Sequence, residues 1–128
     1  MIVLDTHAWL WWMASDRRLS EAGRAAIESS DEVGVPAICC WELALLVAQE
    51  KLRLTVEPLE WINDALSMRN VLLLPLSPEV AVLANTACNT LHRDPADRII
   101  VATALHLGAR LVTADERIQR ANLVQTVW

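Results

Sequence analysis

The chain has 128 residues, 54% of them hydrophobic, which excludes disorder and allows one domain with a substantial core. No uncharged apolar run approaches the roughly 18 residues of a membrane span, and the start lacks a signal peptide's basic segment, so a single-domain cytoplasmic protein is expected. The net charge of −5 excludes a simple basic nucleic-acid binder, and three cysteines without zinc-ligand spacing read as buried thiols.

Short β-rich runs alternate with amphipathic segments. Ile2–Leu4 reads as a strand, followed by a helix from about His7 to Met13. On that helix Trp9 and Trp12 share a face and Trp11 points elsewhere. Ser20 is placed to cap a helix over Glu21–Glu28. Glu32–Val35 is the next strand, punctuated by Pro36. Ile38–Gln49 predicts a helix apolar nearly all round, hence a buried one. A helix over Pro58–Arg69, a strand over Val71–Leu74 and a helix over Glu79–Leu91 follow. Pro95 then opens a helix to about Leu107, which Gly108 stops. Leu111–Thr113 is a fourth strand, Asp115–Arg120 a short helix, and Val124–Val127 a last strand. This alternation argues for an α/β fold with a parallel sheet covered on both faces.

Four acids stand where such a fold gathers its ligands. Asp5 ends the first strand, Asp115 follows the fourth, Asp97 opens a helix after Asp94-Pro95, and Glu42 is the only charge in its apolar helix. Carboxyl ends of parallel strands face one crevice, and four carboxylates there would repel unless a hard cation such as Mg²⁺ neutralised them. Each acid also has a local reading. Asp5, Asp94, Asp97 and Asp115 could cap or favour helix starts, and Glu42 could pair with Arg98. With those four acids set aside the balance is nearer −1, and ten of eleven cations are arginine, the better fork for phosphate. The composition therefore permits a nucleic-acid substrate. The six tryptophans, with no Phe or Tyr, read as core or interface packing, or as base-stacking rings.

The segments Asp5-Thr6-His7, Trp41-Glu42-Leu43-Ala44, His92–Arg98 followed by Ile99-Ile100-Val101-Ala102, and Thr113-Ala114-Asp115 occur in an order that resembles the PIN-domain family, most closely VapC-type toxins of toxin–antitoxin pairs. The resemblance implies a three-layer α/β/α sandwich around a mainly parallel sheet of four to five strands. It implies an endoribonuclease dependent on Mg²⁺ or Mn²⁺, a homodimer, held in check by a VapB-type antitoxin whose helical tail covers a groove near the acids. Matched by position, the metal-binding and catalytic acids would be Asp5, Glu42, Asp97 and Asp115. Asp94 would cap or stand beside them, and Thr113 would support Asp115 through its hydroxyl. Arg93 and Arg98 flank the acids and could hold phosphate; His7 and His92 could donate protons. Cys39, where many relatives carry serine, and the tryptophan-rich first helix depart from the pattern. A PIN fold that binds without cutting, or one acting on structured RNA or DNA, is a rival. A receiver-like signalling domain is a poorer one, because no acidic pair follows the first strand and Lys51 is the sole lysine.

Overall fold

Twelve elements build the chain, described over residues 1–128 by a computed structural model. In order they are β1 (Ile2–Leu4), α1 (Thr6–Met13), α2 (Glu21–Glu28), β2 (Val33–Pro36), α3 (Ala37–Ala48), α4 (Pro58–Leu66), β3 (Val71–Leu74), α5 (Pro78–Asn85), α6 (Pro95–Leu107), β4 (Arg110–Val112), α7 (Glu116–Ala121) and β5 (Thr126–Val127). The five strands form one parallel sheet in the order β3-β2-β1-β4-β5, flanked by helices. The chain lays β2 and β3 to one side of β1, then returns to place β4 on the other. The gap between the carboxyl ends of β1 and β4 is thus the switch point, where ligands of open parallel sheets bind.

Burial on both faces explains why β1 is wholly apolar. Ile2, Val3 and Leu4 have no exposed surface, nor do Leu111 and Val112 of β4. Each such side chain contributes about 1.5–3 kcal/mol relative to exposure. Trp9 is fully buried beneath them and meets Trp61 edge to face, with ring centroids 5.1 Å apart. Trp12 packs partly against the same core, as its shared face with Trp9 requires. No helix is long and apolar enough to cross a membrane.

Gly34 on β2 lies so close to β3 that an added Cβ would stand 2.5 Å from Leu74 Cδ1 and 3.2 Å from Met1 Sδ. Gly34→Ala is expected to force Leu74 from its place and cost about 1–3 kcal/mol. A lowered urea midpoint at unchanged slope would show it; an unchanged midpoint would mean that Leu74 repacks freely.

Two expectations are corrected. The helix predicted to reach Leu91 stops at Asn85, where Asn85 Nδ2 and Thr86 Oγ1 donate to the carbonyls of Ala81 and Val82 and turns follow. The α3 helix is not buried all round. Cys39 and Leu43 face the core, whereas Trp41 is 58% exposed and Ala44 lies at the surface. Smaller shifts affect strand ends: Pro36 stays in register with Leu74, and Thr113 falls just beyond β4.

Candidate metal centre

The fold sets all four acids along the switch point, with Asp5 outside the two groups of ligand atoms that approach one another most closely. The four acids line a cleft of about 490 Å³ together with Asp94 and Arg117. Asp5 is the first residue after β1. Its N–H donates to Val112 O across the gap, and its Oδ1 accepts the Ala8 N–H at 2.8 Å, capping α1. Capping and clustering are therefore both true of it. Burial pushes the Asp5 carboxyl up, against the Thr113 hydroxyl and the Ala8 amide, which pull it down.

Glu42 reaches the cleft because α3 begins directly after β2, within two turns of the sheet's carboxyl edge. It is half-buried, and the Thr6 hydroxyl donates to its Oε1 in a short hydrogen bond. Burial raises its pKa, the hydroxyl opposes this, and Asp97 and Asp94 add to the rise. Thr6→Val is expected to lift that pKa further and to cost about 1–2 kcal/mol at neutral pH. Carbon-detected NMR titration of the Glu42 carboxyl reads it, and an unmoved midpoint would show that the hydroxyl does not govern the charge.

Asp94 caps α6, its Oδ1 accepting from the amides of Ala96 (3.0 Å) and Asp97 (3.4 Å), with Pro95 supplying the first turn. Asp97 projects one residue-triplet later into the centre of the cluster. Carboxylate oxygens of Glu42, Asp94 and Asp97 lie within 4.8 Å of one another, and so do ligand atoms of His92, Asp97 and Asp115. Asp97 is common to both groups. His92 Nε2 contacts its Oδ2 at 2.5 Å, while the buried Nδ1 of His92 has no partner. Burial raises Asp97, the His92 hydrogen bond lowers it, and Asp94 and Asp115 add repulsion.

Asp115 caps α7, and its N–H donates to Thr113 Oγ1 at 3.1 Å. The Thr113 hydroxyl oxygen thus holds Asp115 by its backbone N–H, and the same hydroxyl draws the Asp5 carboxyl downward. Burial pushes Asp115 upward too, but Arg117 outweighs it and holds the carboxyl below its ordinary value. The guanidinium reaches Oδ2 at 3.0 Å and stands 3.9 Å from Asp97 Oδ2. Sequence reasoning missed Arg117. Its place two residues after a capping acid, in the first turn of α7, was the signal.

The arginines that were anticipated lie elsewhere. Arg98 turns back to the carbonyls of the turns that follow α5, donating to His92 O (3.1 Å), Leu91 O (3.2 Å) and Asn89 O (3.4 Å). It pairs with neither Glu42 nor Asp94. Arg93 is exposed and does not line the cleft. His7 lines it, beside Trp11.

The donor set is mainly carboxylate oxygens, with the His92 ring nitrogen beside Asp97, which fits a hard divalent cation of the Mg²⁺ or Mn²⁺ kind. Three of the carboxyls are pushed up by desolvation, so the cluster lacks positive charge that Arg117 alone does not supply. No thiol competes. Cys39 is buried behind Thr6 and Glu42, its Sγ donating to Leu4 O at 3.8 Å.

Comparison with known proteins bears on the family and the fold. The chain is 40% identical to Ribonuclease VapC22 of Mycobacterium tuberculosis, over 99% of its own length and 98% of that protein. Among solved structures it resembles DNA-bound VapBC from Salmonella typhimurium (TM-score 0.72, 18% identity, 98% of this chain and 97% of that one). It also resembles VapBC-1 from nontypeable Haemophilus influenzae (TM-score 0.71, 20% identity, 98% and 96%). A family model described as the PIN domain matches residues 2–123, spanning β1, the switch point and all four acids. On that match and that identity, the chain belongs to the PIN domain family.

Proposed function

We propose that this chain is an endoribonuclease, the toxin of a toxin–antitoxin pair, hydrolysing RNA phosphodiester bonds with Mg²⁺ or Mn²⁺. The observation that carries the reading is the meeting of two groups of ligand atoms at Asp97, inside a cleft at the sheet's switch point. A ribonuclease as a relative at 40% identity supports RNA as the substrate. Asp5 and Asp97 would be the principal metal ligands, with Glu42 and Asp115 completing the set directly or through water and Asp94 beside them. A bound cation supplies an acidified water and a Lewis acid for the phosphate.

The chain's own residues supply the rest. The Ala8 amide fixes Asp5, the Thr6 hydroxyl fixes Glu42, and His92 orients Asp97. Positioning of this kind holds ligand oxygens where a small cation needs them. Arg117, more than half exposed at the rim, presents a cation where an incoming phosphate first meets the acids. Arg98 and Arg93 do not take that part. The likeness to VapBC assemblies supports a VapB-type antitoxin as partner, in the cytoplasm. The uncovered apolar side of α3, with Trp41 at its centre, supports a homodimer.

The test is cleavage of total cellular RNA by purified, partner-free protein with Mg²⁺ or Mn²⁺, with EDTA, and for Asp5→Asn. Asparagine keeps the capping oxygen and removes the charge, so the fold survives. Cutting should vanish in EDTA and in the variant. Equal cutting by both proteins would reject catalysis at this centre.

A further inference from the structure

A second cavity, of about 540 Å³, opens beside the acidic cleft and shares His7 and Trp11 with it. Its charge is opposite. Arg18, Lys51 and Arg53 line it, with Asp16 as its one acid. Asp16 accepts from Arg18 Nε at 3.1 Å and Nη2 at 2.8 Å, which neutralises that arginine over the Trp11 ring, 5.2 Å from its centroid. Lys51 and Arg53 form no ion pair. They are two unspent cations in a chain of net charge −5, and Lys51 is its only lysine.

Their placement follows from local sequence. Over Lys51-Leu52-Arg53-Leu54-Thr55, burial alternates. All five line the cavity; Leu52 and Leu54 also pack on the core, and Lys51, Arg53 and Thr55 are exposed. Leucine anchors thus hold a short basic ladder against a wall that includes Trp11 and Trp61.

Resting on the nuclease reading above, we infer that this cavity binds the single-stranded RNA next to the cleaved bond. Backbone phosphates sit on Lys51 and Arg53, and a base lies against Trp11 at the junction with the cleft. A polyanion needs cations beyond the metal to lie across five carboxylates, and aromatic rings accept any base. Trp11 at the junction lets one strand occupy both cavities without a break.

The experiment compares steady-state cleavage of a fluorescein-labelled, mixed-sequence single-stranded RNA with Mg²⁺ at several salt concentrations. The proteins are wild type, Lys51→Glu/Arg53→Glu, and a control of equal charge change, Arg69→Glu/Arg110→Glu. The control residues are exposed just before β3 and at the start of β4, on the opposite edge of the sheet. The subsite predicts a KM raised roughly tenfold in the first variant, with kcat and the Mg²⁺-induced rise in Tm unchanged. Its salt slope should be shallower by about 1.4, from two phosphate contacts at about 0.7 each. The control should match wild type. If the two variants share one KM and one salt slope while wild type cuts RNA, the subsite is wrong and the nuclease stands. If wild type cuts no RNA, the nuclease reading falls and the subsite falls with it.

Discussion

Asp97→Asn is expected to remove RNA cleavage and, in the same protein without metal, to raise the melting temperature. Asparagine fills the same space and retains an acceptor for His92, but it carries no charge. In the folded chain that charge is desolvated and faces Asp94 and Asp115. Its removal should stabilise the metal-free fold by about 1 kcal/mol, the usual gain when a strained functional group is relaxed. Loss of a residue that merely orients a metal ligand costs about 10- to 100-fold, so loss of the shared ligand itself should exceed that. The order of stability should invert in saturating Mg²⁺, where only wild type has the full ligand set. Single-turnover cleavage and calorimetry with and without EDTA measure both effects. A variant less stable than wild type in EDTA would mean that His92 neutralises Asp97 and that the repulsion argument fails.

The second large effect is on stability against pH. Asp5, Glu42 and Asp97 all have folded-state pKa values raised by burial. The folded chain therefore holds more protons than the unfolded one, and stability falls as pH rises. Their contribution is fully present below the unfolded values, about 4, and is lost as pH climbs through the folded ones. Asp115 has the opposite sign, since Arg117 holds it down; its contribution appears above about pH 4 and is lost on acidification. The lowered carboxyls, Asp16, Glu79 and Asp115, have already lost their protons in the mildly acid range, so the three raised groups set the slope there and the metal-free melting temperature should decline from mildly acid to neutral pH. Mg²⁺ binds the deprotonated folded site only, so its benefit should grow over the same interval. At a hundredfold excess over Kd it contributes about 2.7 kcal/mol, or roughly 10 °C for a chain of this length. A melting temperature indifferent to Mg²⁺ at neutral pH would defeat the shared-metal assignment.

Much of this was legible before any coordinates. Asp5 and Asp115 could be placed because an acid at the end of an apolar run is an acid at the end of a strand. Glu42 could be placed because nothing local accounts for a charge in an apolar helix. Asp97 followed from the start signal at Asp94-Pro95. Pairings between distant segments were not legible. Thr6 serving Glu42 and His92 serving Asp97 depend on how α1, α3 and α6 close on one another. The destination of Arg98 depended on the turns between α5 and α6, whose carbonyls at Asn89, Leu91 and His92 it satisfies and whose path no local pattern announces. The outer side of α3 misled for a related reason. A helix so apolar reads as buried from its sequence, whereas Trp41 is covered only in part by this chain.

The strand order has a consequence for how the molecule is made. β1 leaves the ribosome first, yet one of its two neighbours is β4, residues 110–112, and Asp115 lies beyond that. Nascent chain short of those residues holds Asp5 without the opposite wall of its crevice. Parallel pairing over such separations also forms slowly, because loop closure precedes any gain from contact. On the reading proposed above, the metal centre is incomplete until those last residues have been made.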